Sequence, residues 1–398
     1  MKSVYITSGV RTPIGKMGGS LKDIDPLDLG SMVVEELLRR SNQNKENVDQ
    51  IVFGSVRQSA AIPNLAKRIS DTIGLNAPGY TVHRQCGSGL QAIMDSYEII
   101  GNGECDVIIA GGAENMSQSN YFIRGGKNGL GNGDVTIEDA LVGGGPGAIP
   151  KSKYGYNVMG ETAEKLADKY SISRLEQDEF AQESQERMAR AQENGFFDTQ
   201  IMPIKVGDKV FAKDEHPFLS NLEKLSTLRP VFRKEGTVTA GNASGRNDGA
   251  AAVLIVSEDK LVGSKGKEVF KIISSGTSGC DPTIMGIGPV ESTNKALKNA
   301  GLTLDEIDVI ELNEAFAAQS LAVVSEWEKI STKKDLRDRI NPNGGAIAHG
   351  HPLAATGTML TIKCMNELLS SKDKKYGLIT LCCAGGLGVS MIIEKVTI

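Results

Sequence analysis

Residues Cys105–Ser117 read CDVIIAGGAENMS and residues Tyr376–Ser390 read YGLITLCCAGGLGVS. Each is an apolar, β-branched run that stops in a glycine turn, the pattern of a strand buried on both faces. Working outward, the elements before them recur in one order. The first stretch follows a strand at Val4–Ser8, another at Asp49–Ser55 (DQIVFGS) and a helix start at Cys86. The second follows a strand at Val269–Ser274, another at Asp308–Asn313 (DVIELN) and a helix start at His351. The letters match weakly, but the shared order predicts an internal duplication. Strands alternating with amphipathic helical patterns predict an α/β architecture with helices on both sheet faces.

The intervening segment is of another kind. Gly125–Gly147 holds nine glycines with no periodicity. Ser173 and Glu176 predict a capping box that opens a polar helix, and Gly195 its C-cap. The expected organisation is an N-terminal half of residues 1–117 plus 246–267, an inserted loop domain at 118–245, and a C-terminal half at 268–398.

Composition narrows the function. The chain has 398 residues and 46 glycines, about 12 % against a usual share of about 7 %. The glycine has no Gly-X-Y period, and 40 % of the residues are hydrophobic, which excludes collagen and low complexity. Six cysteines, two of them adjacent, do not make a secreted disulfide framework. No run approaches the roughly 18 apolar residues of a membrane span, and the N-terminus reads neither as a signal nor as a transit peptide. The expectation is a cytoplasmic protein with no membrane and no nucleic-acid partner, since a net charge of −5 lacks the basic surface that displaces counterions.

Four segments carry candidate chemistry. Cys86 stands at a strand-to-helix turn in HRQCGSGL, and Leu90, Ile93, Met94 and Tyr97 after it repeat at helical spacing. Free amides and the dipole at that helix start are expected to lower the thiol pKa, the alternative being an inert buried cysteine. His349 and His351 lie two residues apart in the glycine-rich NPNGGAIAHGHP, and spacing alone does not choose between them. Cys382 ends a strand before a glycine turn, the alternative being a packed small hydrophobe. Asn313 lies where a strand becomes a helix, in ELNEAFAAQ, where an N-cap would also fit. With no C-x-x-C pair and no spaced histidine partner, a zinc site is not expected.

Taken together and in this order, these segments resemble the thiolases, the acyl-CoA C-acyltransferases. The likeness runs from SVYITSGVRTPIGK to GLGVSMIIEKV and includes GGAENMS, LRPVF and TVTAGNASGRNDGAA. It implies a thiolase fold, with duplicated α/β halves in a five-layer αβαβα arrangement and an inserted loop domain. It implies an acetyl-CoA C-acetyltransferase joining two acetyl-CoA reversibly into acetoacetyl-CoA and CoA, or else a degradative 3-ketoacyl-CoA thiolase of β-oxidation. By that resemblance Cys86 is the nucleophile, His351 its base and Cys382 the second acid/base. Asn313 would hold a water in one oxyanion hole, and the backbone amides of Cys86 and Ala384 would form the other. Ser244, Met159 and Phe316 would contact the CoA arm and the acyl group. Acyl-CoA and CoA are then substrates and products, with no cofactor and no metal. The expected assembly is at least a homodimer, with a homotetramer as the larger alternative.

On charge alone, Lys213, Arg229, Arg233 and Lys234 are candidates for the CoA phosphates. Three departures bear on acyl preference and assembly. Phe218 stands where the family pattern Asp-Glu-x-Pro-Arg has arginine. Asn157-Val158 precede Met159-Gly160 where some thiolases carry a histidine. Ala384 replaces a common glycine. A ketoacyl synthase on the same fold would lack Cys382, and a catalytically dead lipid-binding relative would not keep all four positions filled.

Overall fold

A computed structural model describes residues 2–261 and 266–398. Residues 262–265, within the 246–267 stretch assigned to the first half, lie outside the described residues. Nine strands organise the chain: β1 (Val4–Arg11), β2 (Gln50–Gly54), β3 (Gly79–Val82), β4 (Val107–Asn115), β5 (Asn247–Ser257), β6 (Glu268–Gly279), β7 (Val309–Leu312), β8 (Tyr376–Cys383) and β9 (Leu387–Thr397). The helices that matter here are α1 (Pro26–Ser41), α2 (Leu65–Thr72), α3 (Ser88–Gly101), α4 (Met159–Tyr170), α5 (Arg174–Glu193), α6 (Gly288–Ala300), α7 (Ala317–Glu328) and α8 (Leu353–Leu369).

The duplication appears as identical strand pairing. In the first half the order is β3-β2-β4-β5-β1, with β2 parallel to both β3 and β4, and β5 antiparallel to β4 and β1. In the second it is β7-β8-β9-β6, with β7 parallel to β8 and β9 antiparallel to β8 and β6. The counterpart of β3 is reduced to one parallel bridge, Ile310 to Ile340. Strand β3, GYTV beside Pro78 and Gly79, is too short and too polar to be legible as a strand from periodicity. The strongest sign of common origin is a pair of aspartates. Asp49 Oδ2 accepts the amides of Asp106 and Val107, and Asp308 Oδ2 accepts those of Lys375 and Tyr376.

Alternate residues of each strand enter different cores, which builds five layers. Ile51 and Phe53 of β2 pack with Val33 and Leu37 of α1 and Ile69 of α2. Val52 faces the opposite way, into a core holding Leu90 and Ile93 of α3 and Met359 and Leu360 of α8. Strands of the second half line the same central core through Ile379, Leu381 and Met391. Ile310 and Leu312 of β7 face outward again, onto Val323 and Trp327 of α7 and Leu297 of α6. One feature departs from two separate stacked sheets. The halves join edge to edge where Tyr5 and Ile6 pair with Lys271 and Phe270, so a single hydrogen-bonded path runs through both.

The excursion between β4 and β5 carries α4 and α5, and the Ser173–Glu176 capping box opens α5. Its Asp214 clamps Arg11 of β1 bidentately at 2.7 and 2.8 Å in a buried ion pair. That pair fastens the excursion to the sheet.

The two central helices touch at their first turns. A Cβ on Gly89 would fall 2.4 Å from the Ala354 carbonyl, and one on Gly357 would fall 2.4 Å from the Leu90 amide. Backbone occupies that space, and it cannot move aside cheaply. Gly357→Val is therefore expected to cost about 3 kcal/mol or more, or to prevent soluble folding, as read by urea denaturation. A loss under about 1 kcal/mol would contradict the close contact.

Candidate active site

The turn before α3 is fixed by its own bonds. Gly87 and Ser88 donate their amides to the carbonyls of Arg84 and Gln85. The Ser88 hydroxyl donates to Gln85 O at 2.7 Å and accepts the Arg84 amide at 2.9 Å. Gln85 sits at φ +50°, a left-handed conformation that a non-glycine residue holds only where its surroundings impose it. Cys86 is thereby set at the head of α3 with its sulfur facing two backbone N–H groups, its own and that of Ala384. This pair of amides is the one sequence reasoning places around an oxyanion.

The expected low thiol pKa is not what the structure gives. Desolvation pushes the Cys86 thiol up to about 11, outweighing the Arg57 guanidinium and the two amides, which pull it down. The helix dipole argument omitted the cost of charging sulfur in a dry site. Resting Cys86 is a thiol that needs a base.

His351 has the features of that base. Its backbone amide donates to Asn247 Oδ1 at 2.9 Å, and its Nδ1 lies 2.7 Å from Thr356 Oγ1. The Thr356 hydroxyl donates to Pro352 O at 3.0 Å, so toward the imidazole it accepts, which puts the ring proton on Nδ1. Nε2 is left with a lone pair, buried and unpartnered. Burial alone lowers the imidazole to about 4 and keeps it neutral. His349 differs: its Nδ1 faces the Gly350 carbonyl at 2.8 Å, and it packs among Arg11, Phe197 and Lys363 rather than in the thiol site.

Glu114 links the loop after β2 to the start of α8. Its buried carboxyl accepts the amides of Val56 and Arg57 after β2 and of Ala354 at the start of α8. Burial raises it to about 7 against the pull of those amides and of Arg57. Sequence reading quoted GGAENMS but gave Glu114 no task, and nothing in its spacing signals a three-amide acceptor.

Cys382 is fully buried at the end of β8. Desolvation and the neighbouring thiols Cys86, Cys383 and Cys280 hold its pKa well above the ordinary cysteine value. It belongs to an apolar cluster with Phe316, Met285 and Val238, on which Met159 and Phe232 pack. Phe232 and Phe316 meet edge to face, with centroids 6.2 Å apart. Asn313 is fully buried, and neither atom of its side-chain amide has a partner. Such an orphan costs about 1–3 kcal/mol unless a water or ligand satisfies it. Its backbone amide is held by Thr380 O at 3.0 Å, beside the Cys382 strand end. Ser244 donates its amide to Ala315 O at 3.0 Å, and Ala243 bridges Phe316, so the TAGNASG segment lies along the same wall.

A cavity of about 310 Å³ opens from the excursion, lined by Lys16, His216, Phe218, Lys224, Leu228 and Ile347 among others. The charge-based candidates Lys213, Arg229, Arg233 and Lys234 do not line it. Arg233 is engaged with Glu161 at 3.1 Å and Asp168 at 2.6 Å. Lys16 and Lys224, which charge counting had not singled out, are the cations at this cavity. Asn157 is also committed internally, to Tyr154 O and to Lys165 Nζ. Among the described residues, no group of three or more His, Cys, Asp or Glu is placed to hold a metal ion, and no helix is long and apolar enough to cross a membrane.

Comparison with known proteins agrees with this geometry. Residues 4–259 match the thiolase N-terminal domain and residues 267–395 the thiolase C-terminal domain. The chain belongs to the thiolase family. It is 42 % identical to the β-ketothiolase BktB of Cupriavidus necator over 99 % of this chain and 100 % of that one. The crystal structure of Bacillus anthracis acetyl-CoA acetyltransferase superposes with a TM-score of 0.93 at 39 % identity, covering 100 % of this chain and 99 % of that one. Human mitochondrial 3-ketoacyl-CoA thiolase in complex with CoA gives 0.91 at 38 %, covering 99 % and 98 %.

The His351 environment can be read directly by NMR. Because burial lowers its pKa, the neutral Nδ1–H form should persist as pH falls from 8 and protonate only near 4. Thr356→Val should lose the single tautomer. Titration near the ordinary 6.5 would contradict the dry, unpaired Nε2.

Proposed function

We propose that this chain catalyses the reversible Claisen condensation of two acetyl-CoA into acetoacetyl-CoA and CoA, through an acetyl-cysteine at Cys86. The observation that carries it is the set of reactive groups left without protein partners: Nε2 of His351, before α8, which packs on the Cys86 helix α3, and the whole amide of Asn313, after β7, which pairs with the Cys382 strand β8. Similarity to an acetyl-CoA acetyltransferase and to a β-ketothiolase over the full chain supports the same reaction.

His351 Nε2 takes the Cys86 proton, and the thiolate attacks the acetyl carbonyl of the first acetyl-CoA. The oxyanion of the tetrahedral intermediate receives the amides of Cys86 and Ala384. The C–S bond to CoA breaks, and CoA leaves with the Cys382 proton. The Cys382 thiolate then removes an α-proton from the second acetyl-CoA. The high pKa that burial gives this thiol makes its anion a stronger base. Asn313, through a bound water, and His351 carry the enolate oxygen. The enolate carbon attacks acetyl-Cys86, the Cys86–acyl bond breaks, and the thiolate regains its proton from His351. Each oxyanion donor is worth about 10²–10³ in rate.

The thioester supplies the activation, so no cofactor is invoked. The CoA arm would run past Ser244 to the Lys16–Lys224 cavity, with the acyl group among Met159, Phe232 and Phe316. The protein would act in the cytoplasm as a homodimer or larger homo-oligomer.

Cys86→Ala should form no acetyl-enzyme from acetyl-CoA by intact mass, whereas Cys382→Ala should form it and produce no acetoacetyl-CoA. Equal loss of acetylation in both would contradict the division of labour. A series of 3-ketoacyl-CoA substrates tests chain length, and the C4 substrate should be cleaved fastest. Faster cleavage of C8–C16 substrates would instead indicate a degradative 3-ketoacyl-CoA thiolase.

A further inference from the structure

Behind Asn313 lies a buried charged network that the reaction does not use. Glu311 stands on β7 two residues before Asn313, with no exposed surface. Its carboxylate contacts one cation, Lys363 of α8, at 2.9 Å, and both side chains are almost fully buried. The same ammonium donates to the Gly344 carbonyl. Burial raises Glu311 to about 7 even with Lys363 pulling it down, and Lys363 also acts on the buried carboxyl of Glu314.

Glu314, directly after Asn313, accepts Ser184 Oγ and Asn341 Nδ2 at 2.7 and 2.8 Å. Asn341 pairs with β7 like an extra strand residue: its Oδ1 accepts the Leu312 amide and its Nδ2 donates to Leu312 O. Asn313 thus lies between a carboxylate that pairs only with Lys363, Glu311, and one held by Ser184 and Asn341, Glu314, on which the same lysine also acts. Its own amide has no protein partner, so its aim follows the strand end alone. His351 does not share this dependence, because Thr356 and Asn247 hold it.

We propose that Lys363 is a positioning residue for the condensation step: held between Glu311 and the Gly344 carbonyl, it fixes the strand end that presents Asn313 to the second acyl-CoA. The inference rests on the role given to Asn313 above. Without the ammonium, Glu311 must bind a proton or admit water, and β7 loses the contact that ties it to α8 and to the Gly344 carbonyl. A displacement of about 1 Å at a reacting centre costs on the order of 10² in rate.

The test resolves the two half-reactions in Lys363→Met, Glu311→Gln and the double variant. Mass spectrometry follows acetyl-Cys86, acetoacetyl-CoA release follows condensation, and thermal unfolding follows stability. Glu311→Gln is isosteric and carries the test if Lys363→Met does not fold. In the single variants, acetylation should stay within about twofold of wild type. Condensation should fall about 10- to 100-fold in kcat with little change in KM. The double variant should regain thermal stability over Lys363→Met but not condensation. Parallel loss of both steps, unchanged condensation in a folded variant, or restored condensation in the double variant would show that Lys363 serves stability only. Absence of acetyl-Cys86 in wild type is a separate outcome that overturns the thiolase mechanism and this inference with it.

Discussion

The structure turns on the contact between the first turns of α3 and α8. Two helices enclosed by sheets on both sides approach so closely that Gly89 and Gly357 are required, because backbone fills the space a side chain would take. Cys86 leads into one helix and His351 into the other, so the packing that closes the core also sets the two residues proposed as nucleophile and base at the heads of touching helices. Glu114 ties the α8 side of this contact to the loop after β2 by accepting the amides of Ala354, Val56 and Arg57. A hydrogen bond between side chains can swing on rotamers. A contact between two backbones cannot, and reacting atoms need positions held within about half an ångström.

Enclosure also sets the electrostatics. Desolvation disfavours charge: it outweighs the amides and Arg57 at Cys86, which rests as a thiol, and acts alone on His351, which rests as a neutral imidazole. A permanent thiolate–imidazolium pair would carry that desolvation cost in every resting molecule. Here the charges appear only as the reaction proceeds, when amides already aimed at the sulfur meet the developing oxyanion. The unpartnered Asn313 amide fits the same logic: under the proposed reaction, its unmet bonding capacity is filled in the reacting complex.

Much of this was legible in the sequence, for definite reasons. Cys86 and His351 stand at glycine-flanked helix starts and Cys382 at a strand end before a glycine turn, and such junctions show in the letters. Helices on both sheet faces followed from strands with no polar face, and the five layers from the resemblance to thiolases. What was not legible depended on distance in space. Gly89 and Gly357 admit helix backbone, and Gly345 admits the Glu314 carboxyl, none of which local spacing shows. Basic residues chosen by charge missed Lys16, which is far in sequence from the rest of its cavity lining, Ala181 onward. The Cys86 pKa went the opposite way because burial depth, unlike helix position, cannot be read from local sequence. Of the glycine-rich stretch, one residue gains a physical account: Gly144 lies against the Arg57 guanidinium, where a Cβ would collide.

The duplication explains why the site is asymmetric. Aligned on their twin aspartates Asp49 and Asp308, the halves place Gly54 opposite Asn313 and Ala113 opposite Cys382. Each half offers the same three positions: a strand end, a second strand end and a helix start. The first half keeps small residues at its strand ends and a thiol at its helix start. The second keeps an amide, a thiol and an imidazole. Small residues are what close packing demands there, since a Cβ on Gly54 would fall 2.8 Å from Ser88 Cβ and 2.9 Å from the Gly89 amide, beside the nucleophile's turn. Room beside Cys86 therefore comes from the first half, and polar groups to fill it come from the second. Two equal halves could not supply both, because a side chain large enough to act on the substrate at Gly54 would displace the turn that holds the thiol.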